Sequence, residues 1–357
     1  MRINIITQPL FCNYGGILQN YALQEVLRRL GHEPLTVNTP VKASAPKVLW
    51  KDAVKTVINF VKKINGQYDQ PFLSPYKCSC KERELSFPQR KFIENHINKV
   101  DVKPPFTNAI NKDFPSEAWI AGSDQVWRPW CSHYIENCFL DFVDDSTRKV
   151  AYAASFGTDK WEISPEMTER LAPLAGRFDA VSVRESSGIE LCSQYLGITA
   201  EHVLDPTMLL SAEDYLALTT ENDYPHERYI ATYILDNNKT KRKEITRFAE
   251  LENLKVQPVG RMRCDRFDSV ENWLATIAHA EYVITDSFHG TVFSIIFGRP
   301  VKILGNDVRG NARLESLLSM FSLKENNDRI YYPSLNLSEK LEELRIKSVN
   351  FLTEALS

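Results

Sequence analysis

The chain has 357 residues, of which 43% are hydrophobic, and a formal net charge of −3. This length and composition suit two α/β domains and exclude a disordered chain, while the slightly negative charge gives no indication of nucleic-acid binding. The seven Cys lack CxxC spacing, which predicts reduced thiols. The first segment lacks the apolar core of a signal peptide, and no apolar run is long enough to span a membrane. These features predict a cytoplasmic protein.

The first elements of the chain predict a βαβ unit. Residues 2–7 have the character of a buried strand, and "ILQNYALQEVLRRLG" predicts an amphipathic helix that stops at Gly31. The polar face of this helix is predicted to carry Asn20, Gln24 and Arg28. Because "EPLTVNT" predicts a second strand, a parallel sheet is expected.

The middle of the chain is irregular at first and then alternates again. Segments 48–64 and 90–97 predict helices on either side of a stretch rich in turn formers. The patterns "AWIAGSDQVW", "KVAYAASFG" and "DAVSVRESSGIELC" then each predict a strand followed by a loop. Between them, Ser164 and Pro165 predict the cap and the first residue of a helix.

The alternation restarts after a polar stretch at 211–227, which is the predicted domain boundary. Strands are predicted for "YIATYIL", "KVQPVG", "YVITDSFHG" and "PVKIL", with helices between them. The sequence therefore predicts an α/β protein with two Rossmann-like domains facing a cleft. The predicted division is 1–215 for the N-terminal domain, 225–335 for the C-terminal domain and 336–357 for a terminal helix.

The loop "CNYGG" is the first candidate for ligand binding, because it follows a strand and precedes a helix. Gly15 and Gly16 would let the backbone approach a ligand at a helix N-terminus. Asn13, Tyr14 and Gln19 add polar groups that are costly to bury without use. The spacing is neither GxGxxG nor a Walker loop, and the alternative is a plain turn capped by Asn13.

Two further loops bring charged residues to strand ends. Asp124 in "AGSDQVW" could orient a sugar hydroxyl or act as a base, and the alternative is that it caps a helix. Arg184 in "VSVRESSG" is predicted to bind an anion, because guanidinium groups suit carboxylates and phosphates. The alternative for Arg184 is an ion pair with Glu185 or another nearby acid.

The stretch "TDSFHG" places a histidine where a strand passes into a helix. An imidazole exchanges protons near neutral pH, so His289 is predicted to be a general acid, and the alternative is a histidine that only caps the helix. Gly290 beside it permits close ligand approach. The histidines lack the HExxH and HxH spacings and no GxSxG elbow is present, so neither a metal site nor a nucleophile triad is predicted.

Taken together, these motifs resemble the polysaccharide pyruvyl transferase family. The resemblance rests on "NYGGILQNYALQEVLRRLGHE", "WIAGSDQVW", "YAASFG", "VSVRESSG", "VLDPTMLL", "ITDSFHGTVFSIIFGRPV" and "RLESLL", which occur in this order from residue 13 to about 318. It implies a fold like the two-domain GT-B glycosyltransferases, with a terminal helix that can cross between the domains.

The family resemblance also implies a reaction. Its members transfer pyruvate from phosphoenolpyruvate to two hydroxyls of a sugar, which forms a cyclic ketal and releases phosphate. His289 would be the acid, and neither a metal nor another cofactor is needed. Where family members often carry Arg-Leu-His, this chain has Ser287 before Phe288 and His289, so the missing cation has to come from elsewhere. The residues implied in donor binding are Arg184, Ser287, Gly290, Arg261 and Arg313, and Arg263 and Arg309 are further arginines that could replace the missing one.

By analogy with GT-B enzymes, the N-terminal domain would bind the acceptor. The implied acceptor residues are Asn13, Tyr14, Gly15, Gly16, Gln19 and Asp124. The partners implied are phosphoenolpyruvate and a glycan or lipid-linked sugar, with peripheral contact to the inner membrane surface in the second case. Two other interpretations remain open: a GT-B glycosyltransferase that uses a nucleotide sugar, and a non-catalytic binding module.

Overall fold

A computed structural model describes residues 1–40, 86–260, 267–305, 312–323, 330–332 and 335–357. The helix predicted at 48–64 lies outside the described residues, as do the donor candidates Arg261, Arg263 and Arg309.

The first sheet has seven parallel strands in the order β3-β2-β1-β4-β5-β6-β7. Its strands are β1 Arg2–Ile6, β2 Glu33–Asn38, β3 Lys99–Asp101, β4 Ala118–Asp124, β5 Arg148–Ala154, β6 Ala180–Val183 and β7 Glu201–His202. The order reverses between β1 and β4, as in doubly wound dinucleotide-binding folds.

The second sheet has five strands in the order β12-β11-β10-β8-β9. Its strands are β8 Tyr229–Tyr233, β9 Lys255–Pro258, β10 Tyr282–Thr285, β11 Val301–Ile303 and β12 Ile330–Tyr331. All neighbours are parallel except β11 and β12. The predicted fold class, an α/β protein with two Rossmann-like domains, is confirmed by these two sheets, and the predicted domain boundary lies in the interval between β7 and β8.

Helices cover the faces of both sheets. They are α1 Tyr14–Arg29, α2 Phe87–His96, α3 Ala109–Asp113, α4 Ile135–Cys138, α5 Pro165–Ala175, α6 Ser187–Leu191, α7 Ala212–Leu216, α8 Lys239–Glu252, α9 Val270–Ala278, α10 Phe288–Ile296, α11 Ala312–Met320 and α12 Leu335–Leu356. A π-helical turn, Cys192–Leu196, and two 3-10 turns, Pro206–Leu209 and Glu221–Asp223, complete the set. None of the described helices is long and apolar enough to cross a membrane.

The local signals for helix ends are confirmed in two places. The Ser164 side chain accepts a hydrogen bond from the Met167 N–H, and Pro165 begins α5. After α1, Gly31 takes a φ of +83°, a conformation that glycine adopts without strain.

The predicted polar face of α1 is wrong at two of its three positions. Asn20 and Gln24 are buried, and only Arg28 is exposed. The Gln24 Nε2 donates to the Thr36 hydroxyl, and the Thr36 hydroxyl donates to the Asn20 Oδ1, while the Asn20 Nδ2 has no hydrogen-bond partner among the described residues. These hydrogen bonds link α1 to β2.

The terminal helix α12 crosses from the second sheet back to the first domain, as predicted. Two guanidinium nitrogens of Arg345 donate to the carbonyls of Met208 and Leu210, at 3.0 Å each. The Leu204 N–H donates to the Ser348 hydroxyl, also at 3.0 Å. The helix is therefore anchored on the first domain, and its buried side chains belong to an apolar core that includes residues of both domains.

Candidate active site

The two sheets bring their switch points together. In the first sheet the strand order reverses between β1 and β4. The chain that follows β1 leads to Asn13, and β4 ends at Asp124. In the second sheet the strand order reverses between β8 and β10. The chain after β8 leads to Leu235, and the chain after β10 leads to Ser287. Ligands of open α/β sheets bind at such points.

A cavity lies between these strand ends. It is lined by Asn13, Asp124, Gln125, Tyr233, Leu235, Asp286, Ser287, Phe288, His289, Arg313 and Leu314. Both domains contribute to its wall. Its volume, about 60 Å³, is well below the roughly 300 Å³ at which typical ligand pockets begin. The cleft is therefore nearly closed, and a substrate would have to widen it.

His289 lies in the first turn of α10, where Ser287 caps the helix by accepting from the Gly290 N–H. The imidazole is buried, and its Nε2 has no hydrogen-bond partner within the described residues. The closest carboxylate oxygen belongs to Asp205, 3.8 Å away. Across the cleft, Gly15 packs so closely that an added Cβ would lie 2.0 Å from the His289 Nδ1. The candidate acid is thus held between the two domains.

Asp205 is a site residue that the sequence analysis missed. One of its oxygens accepts from the Thr207 N–H and hydroxyl, and the other accepts from Arg184 and Ser123. Burial alone would raise the pKa of Asp205, but the nearby His289, the charge of Arg184 and the hydrogen bond from Arg184 hold it well below its usual range. The signal in the sequence was an Asp-Pro pair two residues after a short strand, an arrangement that caps a turn as readily as it serves a site.

Arg184 lies next to the cavity but does not form its wall. Its side chain is fully buried, with Nη1 2.9 Å from Asp205 and Nη2 3.4 Å from Asp124. Burial alone would lower the pKa of Arg184, and these carboxylates outweigh burial and raise it. The neighbouring Glu185 faces another loop, where its Oε1 accepts from the N–H groups of Phe156 and Gly157. The alternative predicted for Arg184, an ion pair with a nearby acid, matches these contacts.

Arg313 differs from Arg184 in its partners. It lies at the start of α11 and in the cavity wall, and its buried Nε has no hydrogen-bond partner in the part of the chain that the structure describes. Among the described residues no carboxylate forms an ion pair with it, and its guanidinium carbon lies 5.8 Å from the centre of the Phe288 ring. Burial and the nearby charge of Arg184 lower the pKa of Arg313 to about 10. The cation is therefore poorly compensated in this state of the cleft.

The candidates from the first domain divide into two groups. Asn13 and Asp124 line the cavity, as the switch-point argument predicts. Gly16 lies behind Asn13, since an added Cβ would come within 3.1 Å of the Asn13 amide nitrogen. Asp124 has a φ of 72° and is held by the Gln125 N–H at 2.9 Å, so its carboxylate has a fixed direction.

Tyr14 and Gln19 support the site from behind. The Tyr14 hydroxyl donates to the Asp268 carbonyl at 2.6 Å, and its ring stacks on Trp273 at 5.5 Å. Burial raises the pKa of Tyr14 far above its usual value. Gln19 is fully buried and donates to the Thr7 hydroxyl and the Gly16 carbonyl. Tyr14 thus connects the domains, and Gln19 shapes the loop that carries Asn13.

Two donor candidates from the second domain also have structural contacts. Ser287 lines the cavity and caps α10. Gly290 allows α10 to approach β10, since an added Cβ would lie 2.3 Å from the Thr285 hydroxyl. No group of three or more potential ligands arranged to hold a metal ion occurs within the described ranges.

Comparison with known families decides the affiliation of the chain. Residues 13–308 match the sequence profile of the polysaccharide pyruvyl transferase family. The chain belongs to this family, and it is therefore a transferase. A comparison with curated proteins finds no relative of significant similarity.

Solved structures with similarity to this chain are distant. A Listeria monocytogenes protein described as a UDP-N-acetylglucosamine 2-epimerase is 12% identical with a TM-score of 0.49, covering 99% of this chain and 90% of its own. S. aureus MnaA with UDP is 11% identical with a TM-score of 0.48, covering 99% and 91%. The spinosyn forosaminyltransferase SpnP is 10% identical with a TM-score of 0.43, covering 99% and 94%.

Proposed function

We propose that this protein transfers pyruvate from phosphoenolpyruvate to two hydroxyls of a sugar, forming a cyclic ketal and releasing phosphate. The sugar would belong to a cell-surface polysaccharide or its lipid-linked precursor. The observation that carries the proposal is that one cavity contains both His289 and Arg313, a cation without an ion-pair partner among the described residues. Family membership supports the same reaction.

The donor would be bound by charge. Phosphoenolpyruvate carries a phosphate and a carboxylate, and the cavity offers it the guanidinium of Arg313 and the N-terminus of α10. Ser287 and Gly290 shape that N-terminus. Arg261 lies outside the described residues and stays a predicted donor ligand. The charge of Arg184 is already compensated by two carboxylates, so Arg184 would act on the donor through its electrostatic field.

The chemistry begins with a proton. His289 protonates C3 of the donor, which becomes a methyl group and leaves an oxocarbenium-like centre at C2. One sugar hydroxyl forms a bond to C2 and loses its proton. Phosphate then leaves with the electrons of its bond to C2, and the second hydroxyl forms the other C–O bond. Of the two hydroxyl protons, one restores His289 and the other leaves with phosphate.

Asp205 would position His289 in this scheme. Its carboxylate lies 3.8 Å from the His289 Nε2 and is itself fixed by Arg184 and Thr207. Asp205 does not itself line the cavity and would act only through the histidine.

The acceptor would be bound from the first domain. Asn13 and Asp124 face the histidine across the cavity, and the Asp124 carboxylate could accept the proton of a sugar hydroxyl and pass it to the leaving phosphate. The scheme needs no metal or other cofactor. A lipid-linked acceptor would be met at the cytoplasmic face of the inner membrane, through peripheral contact.

A thermal-shift titration tests the proposal. Ligands that bind the native state raise its stability, by about 2.7 kcal/mol at a hundred times Kd. Phosphoenolpyruvate should raise the melting temperature of the wild type and of Arg313→Lys, but not of Arg313→Gln. Arg228→Gln, which removes an exposed arginine of the same domain, is the matched control and should respond like the wild type.

The same titration separates the alternative functions. A shift with a nucleotide sugar, and none with phosphoenolpyruvate, would support the GT-B glycosyltransferase instead. If phosphoenolpyruvate binds but phosphate is never released with any glycan acceptor, the non-catalytic binding module is favoured.

A further inference from the structure

We propose that the indole of Trp130 is a platform on which a sugar ring of the acceptor stacks, beside the cavity that contains Asp124. Taking the ligand to be the acceptor rests on the proposed function. The platform itself rests on an exposed aromatic ring that is held in place and on its connection to the cavity wall.

Trp130 is unusual among the tryptophans in its exposure. Its relative exposure is 61%, whereas Trp119, Trp127 and Trp273 are fully buried. Exposure alone indicates little, because single apolar side chains are common on protein surfaces. The arrangement behind the ring is what distinguishes this residue.

One face of the Trp130 ring is covered by a fixed cation. The guanidinium carbon of Arg128 lies 4.5 Å from the ring centre. Arg128 is itself buried, and its Nε and Nη2 donate to Glu162 at 2.9 and 3.1 Å. Its Nη1 donates to the Gln125 Oε1 at 2.9 Å. The indole is therefore supported from one side, and its other face is available to a ligand at little cost in side-chain entropy.

The platform is connected to the cavity wall. Gln125, which anchors Arg128, lines the cavity next to Asp124. Cys131 follows the tryptophan, and burial together with the Asp124 charge raises its thiol pKa to about 11, while Arg313 acts in the opposite direction. Both charged groups belong to the cavity wall. The segment that carries Trp130 thus lies within electrostatic reach of the proposed reaction centre.

This geometry suits a pyranose. A pyranose ring has a face of C–H groups that stacks on an aromatic ring, and its hydroxyls project from the edge. A ring stacked on Trp130 would direct its edge toward Gln125 and Asp124, which can hydrogen-bond hydroxyls. Stacking would fix the sugar plane, and the carboxylate would select the pair of hydroxyls that enters the cavity.

The test uses simple sugars as probes. Methyl glycosides of glucose, galactose, mannose, N-acetylglucosamine and N-acetylmannosamine are titrated by saturation-transfer NMR against the wild type, Trp130→Ala and Trp130→Phe. Phe87→Ala is the matched control, because Phe87 is 62% exposed and lies near Arg90, and no hydrogen bond among the described residues joins Arg90 to the cavity wall. Each variant is also titrated with phosphoenolpyruvate by thermal shift.

We expect at least one glycoside to bind the wild type and to lose about tenfold in affinity in Trp130→Ala, the scale of one aromatic contact. Trp130→Phe should restore most of this loss, and Phe87→Ala should change nothing. The platform is overturned if Trp130→Ala binds the glycosides like the wild type, if Phe87→Ala loses as much, or if none binds the wild type. A phosphoenolpyruvate shift without glycoside binding rejects the platform and leaves the proposed function intact. Glycoside binding that depends on Trp130, without a phosphoenolpyruvate-induced thermal shift, supports the platform and contradicts the proposed function.

Discussion

Arg184 and Arg313 lie near the same aromatic ring but in different electrostatic surroundings. Their guanidinium carbons are 4.7 and 5.8 Å from the centre of Phe288. Arg184 is paired with the buried carboxylates of Asp205 and Asp124, whereas Arg313 has no such partner among the described residues. The surroundings of Arg184 have the features of a structural ion-pair network. The surroundings of Arg313 have the features of an anion-binding site.

The largest expected effect is on folding, and it comes from the paired arginine. Arg184→Met should lower the free energy of unfolding by about 3–5 kcal/mol, because it leaves the carboxylates of Asp205 and Asp124 buried without a counter-charge. Urea denaturation measures the change. Arg228→Gln removes an exposed ion pair and is expected to cost less than about 1 kcal/mol. Equal stability of Arg184→Met and wild type would contradict the structural role of this network.

The unpaired arginine should respond with the opposite sign. Because the pKa of Arg313 is lowered to about 10, its charge opposes folding by on the order of 3 kcal/mol at neutral pH. Arg313→Met should therefore stabilise the free protein by up to this amount and abolish the phosphoenolpyruvate-induced thermal shift. A variant that is less stable than the wild type, or that still responds to phosphoenolpyruvate, would remove the distinction between the two arginines.

Asp205 connects the network to His289, the proposed general acid. Asp205→Asn should lower kcat for phosphate release by about 10²-fold, the scale of misplacing a reacting group, and leave KM for phosphoenolpyruvate nearly unchanged. If Asp205 acts only through His289, the substitution should cost nothing further in a His289→Asn background, which has already lost the acid. A full additional loss in the double variant would show a separate role.

The sequence predicted some of these residues because their positions depend on topology. Asn13 and His289 follow strands of a parallel sheet and Asp124 ends one, and such strand ends converge at one edge of a sheet. Arg184 and Arg313 could not be distinguished in this way. The partner of Arg184 lies 21 residues further along the chain, beyond β7, and only the packed structure brings the two together.

The error at α1 has a similar origin. Polar spacing predicted that Asn20 and Gln24 face solvent, but the neighbouring β2 and the chain before β3 supply hydrogen-bond partners for them. Helical periodicity reports which residues are polar and carries no information on whether a buried partner exists. The exposure of Trp130 could not be predicted from the sequence either, because a tryptophan in a loop is more often buried.

The smallest expected effect is a pH dependence that has opposite signs for binding and for stability. With a pKa of about 10, Arg313 loses its charge above that pH, so phosphoenolpyruvate affinity should fall by roughly twofold at the pKa and tenfold about one pH unit higher.

Stability changes the other way. Between the folded pKa and the higher unfolded value, the unfolded chain binds more protons, so this group's contribution to the free energy of unfolding rises with pH. Other groups also titrate in this range, and the difference between wild type and Arg313→Met isolates the arginine. The stability advantage of Arg313→Met should shrink above pH 10, as the wild type loses the charge that opposed its folding. An advantage that stays constant to pH 11 would mean that Arg313 remains protonated and better compensated than its contacts indicate.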